Sequence, residues 1–171
     1  MVVAVGESGL DYFRTADPGR EAQKESFRAH IEMAARHDLP LQIHDREAHE
    51  DSIALVRECA NSDQRIVFHC FSGDAAMASV LAEHGWYASF AGPISYPANE
   101  DLRQAFAALP PELILVETDA PYLTPLPWRG CPNASYVMAH TVRFIADLWG
   151  VSEEDACTQL CGNTERVYGS W

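Results

Sequence analysis

The stretch Ile114-Leu115-Val116-Glu117-Thr118-Asp119-Ala120-Pro121-Tyr122-Leu123 decides how the fold is read. An unbroken apolar run suits a strand buried on both faces, and this one ends in acidic residues and then a proline that stops continuation. Asp119 therefore falls just past the carboxyl end of a buried strand. Parallel α/β proteins gather their chemistry at such ends, so the informative question is whether other strands end the same way.

Outward from that stretch, Val2 to Val5 is a short apolar run that stops at Gly6-Glu7 and passes into Ser8-Gly9-Leu10-Asp11-Tyr12, read as a strand and then a loop. Pro40 to Ile43 makes a second strand, ending at His44, and Ile66 to Phe68 a third, ending at His69. Trp86 to Ala91 supplies a fourth, broken by Gly92-Pro93 with no ligand-type side chain at its end.

Helical patterns alternate with these strands. Asp17 as cap and Pro18 at the first position start a helix to about His37. Others run from Ala48 to Ala60, from Gly73-Asp74 to a Gly85 cap, and through Leu102, Phe106 and Leu109. Asn133 caps a helix stopped by Gly150, and a Ser152/Asp155 capping box opens a last one to about Cys161. Strand and helix alternating five times predict a parallel sheet with right-handed crossovers, in a single domain over residues 1–171.

A chain 47% apolar and 22% charged has ordinary globular composition, which excludes disordered and fibrous classes. No window approaches the roughly 18 apolar residues of a membrane span, and no signal peptide is visible at the start, so a cytoplasmic protein with no membrane partner is expected. The formal charge of −13 argues against a protein that coats nucleic acid. It does not argue against an enzyme cutting phosphodiesters, because carboxylates that hold divalent cations invert the local field. Five cysteines without a C-x-x-C fit reduced thiols, with Cys157 and Cys161 expected as small buried side chains on one helix. Trp86, Trp149 and Trp171 are expected in the core or an interface.

Four of the five strands end in a metal-type side chain: Glu7, His44, His69 and Asp119. The separations are 37, 25 and 50 residues, and the last spans the one strand without a ligand. A lone histidine or aspartate at a strand end is usually a hydrogen-bonded loop residue. Four in one structural context predict a cluster of two imidazoles and two carboxylates, suited to a divalent cation. Glu7 could bridge two cations that clamp the oxygens of a phosphoryl displacement, and Asp119 could bind one and accept a proton from the attacking water. Arg46 and Arg129 are the cationic groups nearest the strand ends, and Tyr122 could stack on a base. Asp11 and Tyr12 are expected to shape loops, and Cys70 to point away from the site.

Val-Gly-Glu-Ser-Gly-Leu-Asp-Tyr (5–12), Pro-Leu-Gln-Ile-His-Asp-Arg-Glu-Ala (40–48), Phe-His-Cys-Phe-Ser-Gly (68–73) and Val-Glu-Thr-Asp-Ala-Pro-Tyr-Leu-Thr-Pro (116–125) together resemble the TatD family of metal-dependent deoxyribonucleases. The resemblance covers almost the whole chain. It implies a metallo-dependent hydrolase TIM barrel of eight βα units, in which Glu7 bridges two metals (Mg, Mn or Zn). His44 and His69 would hold one metal and Asp119 the other. The implied activity is hydrolysis of DNA phosphodiesters, including 3′–5′ trimming of single strands or 3′ ends.

The family's first strand carries an Asp-x-His-x-His motif that does not occur in this sequence. The resemblance thus implies a partial barrel, strands four to eight with their helices, lacking the first three βα units of about 30 residues each. Such a piece would have an open edge through which it could self-associate. Cys131 and Ser135 stand where the family has Lys and Pro. Alternative expectations are a metal-dependent hydrolase of an aminoacyl-tRNA ester or a small ester or amide, or an inactive fragment needing a partner chain.

Overall fold

The computed structural model describes residues 2–170. Five parallel strands, β1 (Val5–Asp11), β2 (Leu41–Arg46), β3 (Ile66–Phe68), β4 (Tyr87–Phe90) and β5 (Ile114–Val116), form one sheet in the order β1-β2-β3-β4-β5. The intervening helices are α1 (Asp17–Arg36), α2 (His49–Cys59), α3 (Ala75–His84) and α4 (Glu100–Ala108). After β5 come α5 (Met138–Trp149) and α6 (Glu153–Tyr168). Each strand pairs with its predecessor in the chain. That is singly wound, barrel-like order; a doubly wound sheet reverses direction part-way.

The core forms where helix stripes meet the sheet. Phe27, Ile31 and Ala34 of α1, at helical spacing, are fully buried, as are Leu41 and Ile43 on β2. Further along, Phe90 packs edge-on against Phe106 of α4 at 5.1 Å between ring centres, and Phe68 tilts against Trp86 at 6.0 Å. Asp74 accepts from Met77 N and Gly85 closes α3 in the left-handed region, as the sequence predicts. Ser152 likewise accepts from Asp155 N at the start of α6. Asn163 is fully buried in α6 and donates to the carbonyls of Pro111 (2.7 Å) and Ile114 (2.6 Å), pinning that helix to the entry of β5.

Several boundaries differ from the sequence reading. The glycine-rich segment expected as a loop is the strand itself: β1 runs to Asp11 and pairs with β2 at Gly9↔His44 and Asp11↔Arg46. A Cβ at Gly9 would lie 2.0 Å from the His44 carbonyl oxygen, so glycine here permits close strand approach and does not mark a turn. Consequently Glu7 lies within β1, and His44 lies within β2, which reaches Arg46. Ala16, not Asp17, occupies the cap position of α1. The last helix continues to Tyr168. Cys157 and Cys161 are exposed and line an apolar groove of about 400 Å³ beside Val116 and Met138, because this face of α6 turns away from the core. Trp86 is buried and Trp149 packs on Phe106, whereas Trp171 lies outside the described residues. Among the described residues no helix is long and apolar enough to cross a membrane.

Candidate metal centre

Glu7 within β1, His44 within β2 and His69 just after β3 come together, with one donor atom from each lying within 4.8 Å of the others. Glu7 sits between the rings: Oε1 is 3.1 Å from His44 Nδ1 and Oε2 is 3.3 Å from His69 Nε2. His69 is buried, and its Nε2 makes no hydrogen bond despite that proximity. A buried, unbonded ring nitrogen facing a carboxylate and a second imidazole is the donor arrangement a borderline divalent cation fits.

Asp119 lies outside this trio. It follows β5 at φ 52°, in the left-handed region that starts the loop, and its carbonyl accepts from Tyr122 N at 2.9 Å. Burial raises its carboxyl above the ordinary aspartate value, helped by the charges of Glu117 and Glu7 and opposed by His69 and His44. It therefore shares the electrostatic environment of the trio without joining its donor set.

Glu117 is the residue that the sequence reading passed over. Its backbone N–H continues β5 onto the Phe90 carbonyl, and its carboxylate accepts from Cys70 N and faces His69 Nδ1 at 3.2 Å. Burial pushes its carboxyl up, but the His69 ring and the Cys70 amide outweigh this and leave it below the ordinary value. For His69 burial lowers the pKa, and Glu117 first, then Glu7 and Asp119, raise it above the usual imidazole range. The available signal was two carboxylates, Glu117 and Asp119, two positions apart at one strand end.

Asp11, expected only to shape a loop, also reaches the site, with Oδ2 3.2 Å from His44 Nε2. Burial raises its carboxyl, yet the Arg14 N–H, His44 and Arg46 together set it below the ordinary value. Cys70 has its thiol pushed up to about 12 by burial, which removes it as a nucleophile at neutral pH. Beside Glu7, Asp11 and His44 a cleft of about 490 Å³ opens between β1 and α1.

Of the remaining expected contact residues, Arg46 closes β2 and is exposed, and Arg129 and Tyr122 sit on exposed loops. Arg46 stacks over the Phe13 ring at 3.9 Å, and Arg129 over Tyr96 at 4.2 Å. Tyr122 is 69% exposed. Asn133 does not cap a helix, because α5 begins at Met138 after a 3-10 turn. Its buried amide instead donates to the Thr118 carbonyl (2.8 Å) and the Tyr122 carbonyl (2.7 Å), closing the loop around Asp119. The helical histidines have local partners: His84 accepts from Arg57 Nε at 2.8 Å and His140 from Trp128 Nε1 at 3.0 Å.

The family model described as TatD related DNase matches residues 1–169. The chain belongs to the TatD family. An uncharacterized metal-dependent hydrolase TatD of Mycobacterium tuberculosis is 41% identical over 98% of this chain and 65% of its own length. An uncharacterized metal-dependent hydrolase YcfH of Escherichia coli K12 is 37% identical over 98% of this chain and 63% of its own length. The chain thus spans somewhat under two thirds of these curated relatives. Among solved structures, the TatD homologue YJJV of E. coli superposes with a TM-score of 0.91 at 30% identity, covering 99% of this chain and 65% of that one. A TatD family hydrolase from Entamoeba histolytica, at 21% identity and a TM-score of 0.86, shares the fold. The chain accordingly carries the α/β, TIM-barrel-like parallel sheet of a family whose curated members are described as metal-dependent hydrolases.

Proposed function

We propose that this TatD chain belongs to a deoxyribonuclease that hydrolyses DNA phosphodiester bonds, working 3′ to 5′ on single strands. The observation that carries the reading is Glu7 held between His44 and His69. Divalent cations at such a set (Mg, Mn or Zn, two in a complete site) supply Lewis acidity toward phosphoryl oxygens and make water a competent nucleophile near neutral pH. Glu7 offers one oxygen to each side, and His44 and His69 offer ring nitrogens. The Asp119 carboxylate, more basic than an exposed aspartate because of its burial, takes a proton from the attacking water.

Substrate contacts follow from the end of β2 and the loops. Arg46 and Arg129 present guanidinium groups held by stacking, positioned to meet phosphates. Tyr122, Trp128 and Tyr136 expose ring faces, 69%, 51% and 82% respectively, on which unpaired bases can stack. A net charge of −13 offers little general attraction for duplex DNA, which suits contacts confined to a strand end.

The finer fold reading is that the five strands are strands four to eight of an eight-stranded barrel within one domain, supported by their sequential parallel order. Among the described residues β1 and β5 each have one unpaired side, and pairing there is the route to barrel closure or self-association. A cytoplasmic setting accords with five free cysteines.

The test is a 3′-labelled single-stranded oligonucleotide incubated with the chain and Mn²⁺, Mg²⁺ or Zn²⁺. Chelator-sensitive release of mononucleotides, lost in Asp119→Ala and His69→Ala, is expected. Intact DNA alongside metal-dependent cleavage of a model ester would move the reaction to another bond and overturn the nuclease reading.

A further inference from the structure

Five side chains form one continuous line: Asp11, His44, Glu7, His69 and Glu117. Glu7, at the centre, turns Oε1 to His44 Nδ1 and Oε2 to His69 Nε2. The opposite nitrogen of each ring faces an outer carboxylate. His44 Nε2 is 3.2 Å from Asp11 Oδ2, and His69 Nδ1 is 3.2 Å from Glu117 Oε2. Both outer carboxylates are anchored by main-chain donors, Asp11 Oδ1 by Arg14 N at 2.9 Å and Glu117 Oε1 by Cys70 N.

An ionised carboxylate only accepts, so a neutral ring that hydrogen-bonds to it must carry its proton on the nitrogen facing it. The other nitrogen is then a bare lone pair. In this chain the two rings are oriented oppositely, and the outer carboxylates compensate for it. Resting on the metal-centre reading above, we propose that Asp11 and Glu117 are positioning residues that fix opposite tautomers, Nε2–H in His44 and Nδ1–H in His69. Both lone pairs then turn toward a divalent cation beside Glu7. Outer-shell carboxylates of this kind orient metal-ligating histidines and raise their basicity.

Glutamine at position 117 makes the idea sharply testable. The Cys70 amide and the His69 ring both need an acceptor, which glutamate provides with two oxygens and glutamine with only one. With the glutamine oxygen on Cys70 N, its NH₂ faces His69 Nδ1 and inverts the tautomer of that ring alone. Asp11→Asn does the same to His44 through the Arg14 amide.

Two-bond ¹H–¹⁵N spectra of the metal-free chain, at a pH where both rings are neutral, should show His69 protonated at Nδ1 and His44 at Nε2. Each variant should invert only its own ring, so the unaffected histidine reports that the fold is intact. Titration with Zn²⁺ by calorimetry should show affinity weakened by about 10- to 100-fold in either variant. A wild-type His69 protonated at Nε2 overturns the proposal even if a variant fails to fold. So does Glu117→Gln binding Zn²⁺ as tightly as wild type. Correct tautomers with no Zn²⁺ binding in the wild type would instead overturn the metal reading and leave the tautomer assignment standing.

Discussion

Gly9→Ala should disrupt the site through the backbone alone. The added Cβ would lie 2.0 Å from the His44 carbonyl oxygen, 3.0 Å from its carbonyl carbon and 3.1 Å from its nitrogen, all main-chain atoms of β2. An unbonded carbon–oxygen contact needs about 3.3 Å, so β1 and β2 must separate by roughly 1.3 Å at the pair that carries His44. Overpacking costs about 1–3 kcal/mol. The backbone at φ +154°, which side chains rarely adopt, adds about 1–3 kcal/mol. A loss of about 2–6 kcal/mol is therefore expected, a large share of the roughly 5–15 kcal/mol of a typical domain. Gly85→Ala is the control: a Cβ there meets nothing within 4 Å, and only its left-handed φ of 67° is penalised, by about 1–2 kcal/mol. Urea unfolding followed by circular dichroism, with divalent-metal affinity measured beside it, provides the assay. If Gly9→Ala lowers the midpoint no more than Gly85→Ala and retains metal affinity, the close-approach argument for β1 is wrong.

Other expectations concern loops and pH. Asn133→Ala removes two bonds from a buried amide to main-chain carbonyls and should cost about 1–3 kcal/mol, with hydrogen exchange accelerating at residues 118–123; unchanged protection there would contradict the pinning role. The His49 ring, 2.8 Å from Asp45 Oδ2, has its pKa raised chiefly by that hydrogen bond, against some burial. Its folded value exceeds the unfolded one. The stabilisation is therefore complete below the ordinary histidine pKa of about 6.5 and disappears as pH rises through the raised value. His49→Gln should flatten that part of the stability–pH profile. Asp51 behaves in the opposite sense: Lys24 first and Tyr12 second lower its pKa. Its contribution is complete above the ordinary aspartate value of about 3.9 and fades as pH falls through the lowered one. An Asp51→Asn chain with the same acid profile as wild type would contradict this.

How much of this was legible in the sequence depends on how local each cause is. Ile66–Phe68 and Ile114–Val116 read directly as strands because both their faces are buried, which leaves an unbroken apolar run. β1 was misread for the converse reason. Gly6, Ser8 and Gly9 have the composition of a turn, and only the approach of β2, some 35 residues later, makes them a strand. Glu7, His44 and His69 stood out because ligand-type side chains recur on or just after successive strands. The part played by Glu117 did not, since it depends on Cys70 and His69 arriving from β3. Asp11 was hidden by the β1 error: with the strand ended at Val5, its side chain could not be placed beside His44. Asn133 has the residue type of a helix cap, and what distinguishes it is the pair of carbonyls that the loop folds back to present.

The account turns on whether Glu7, His44 and His69 hold a divalent cation. Anomalous diffraction at the zinc or manganese edge, from crystals of the chain grown with that ion, addresses this directly. The predicted result is a peak about 2.0–2.2 Å from a Glu7 oxygen, His44 Nδ1 and His69 Nε2, absent in His69→Ala. A peak only elsewhere, or none with the three side chains ordered, would contradict the central claim.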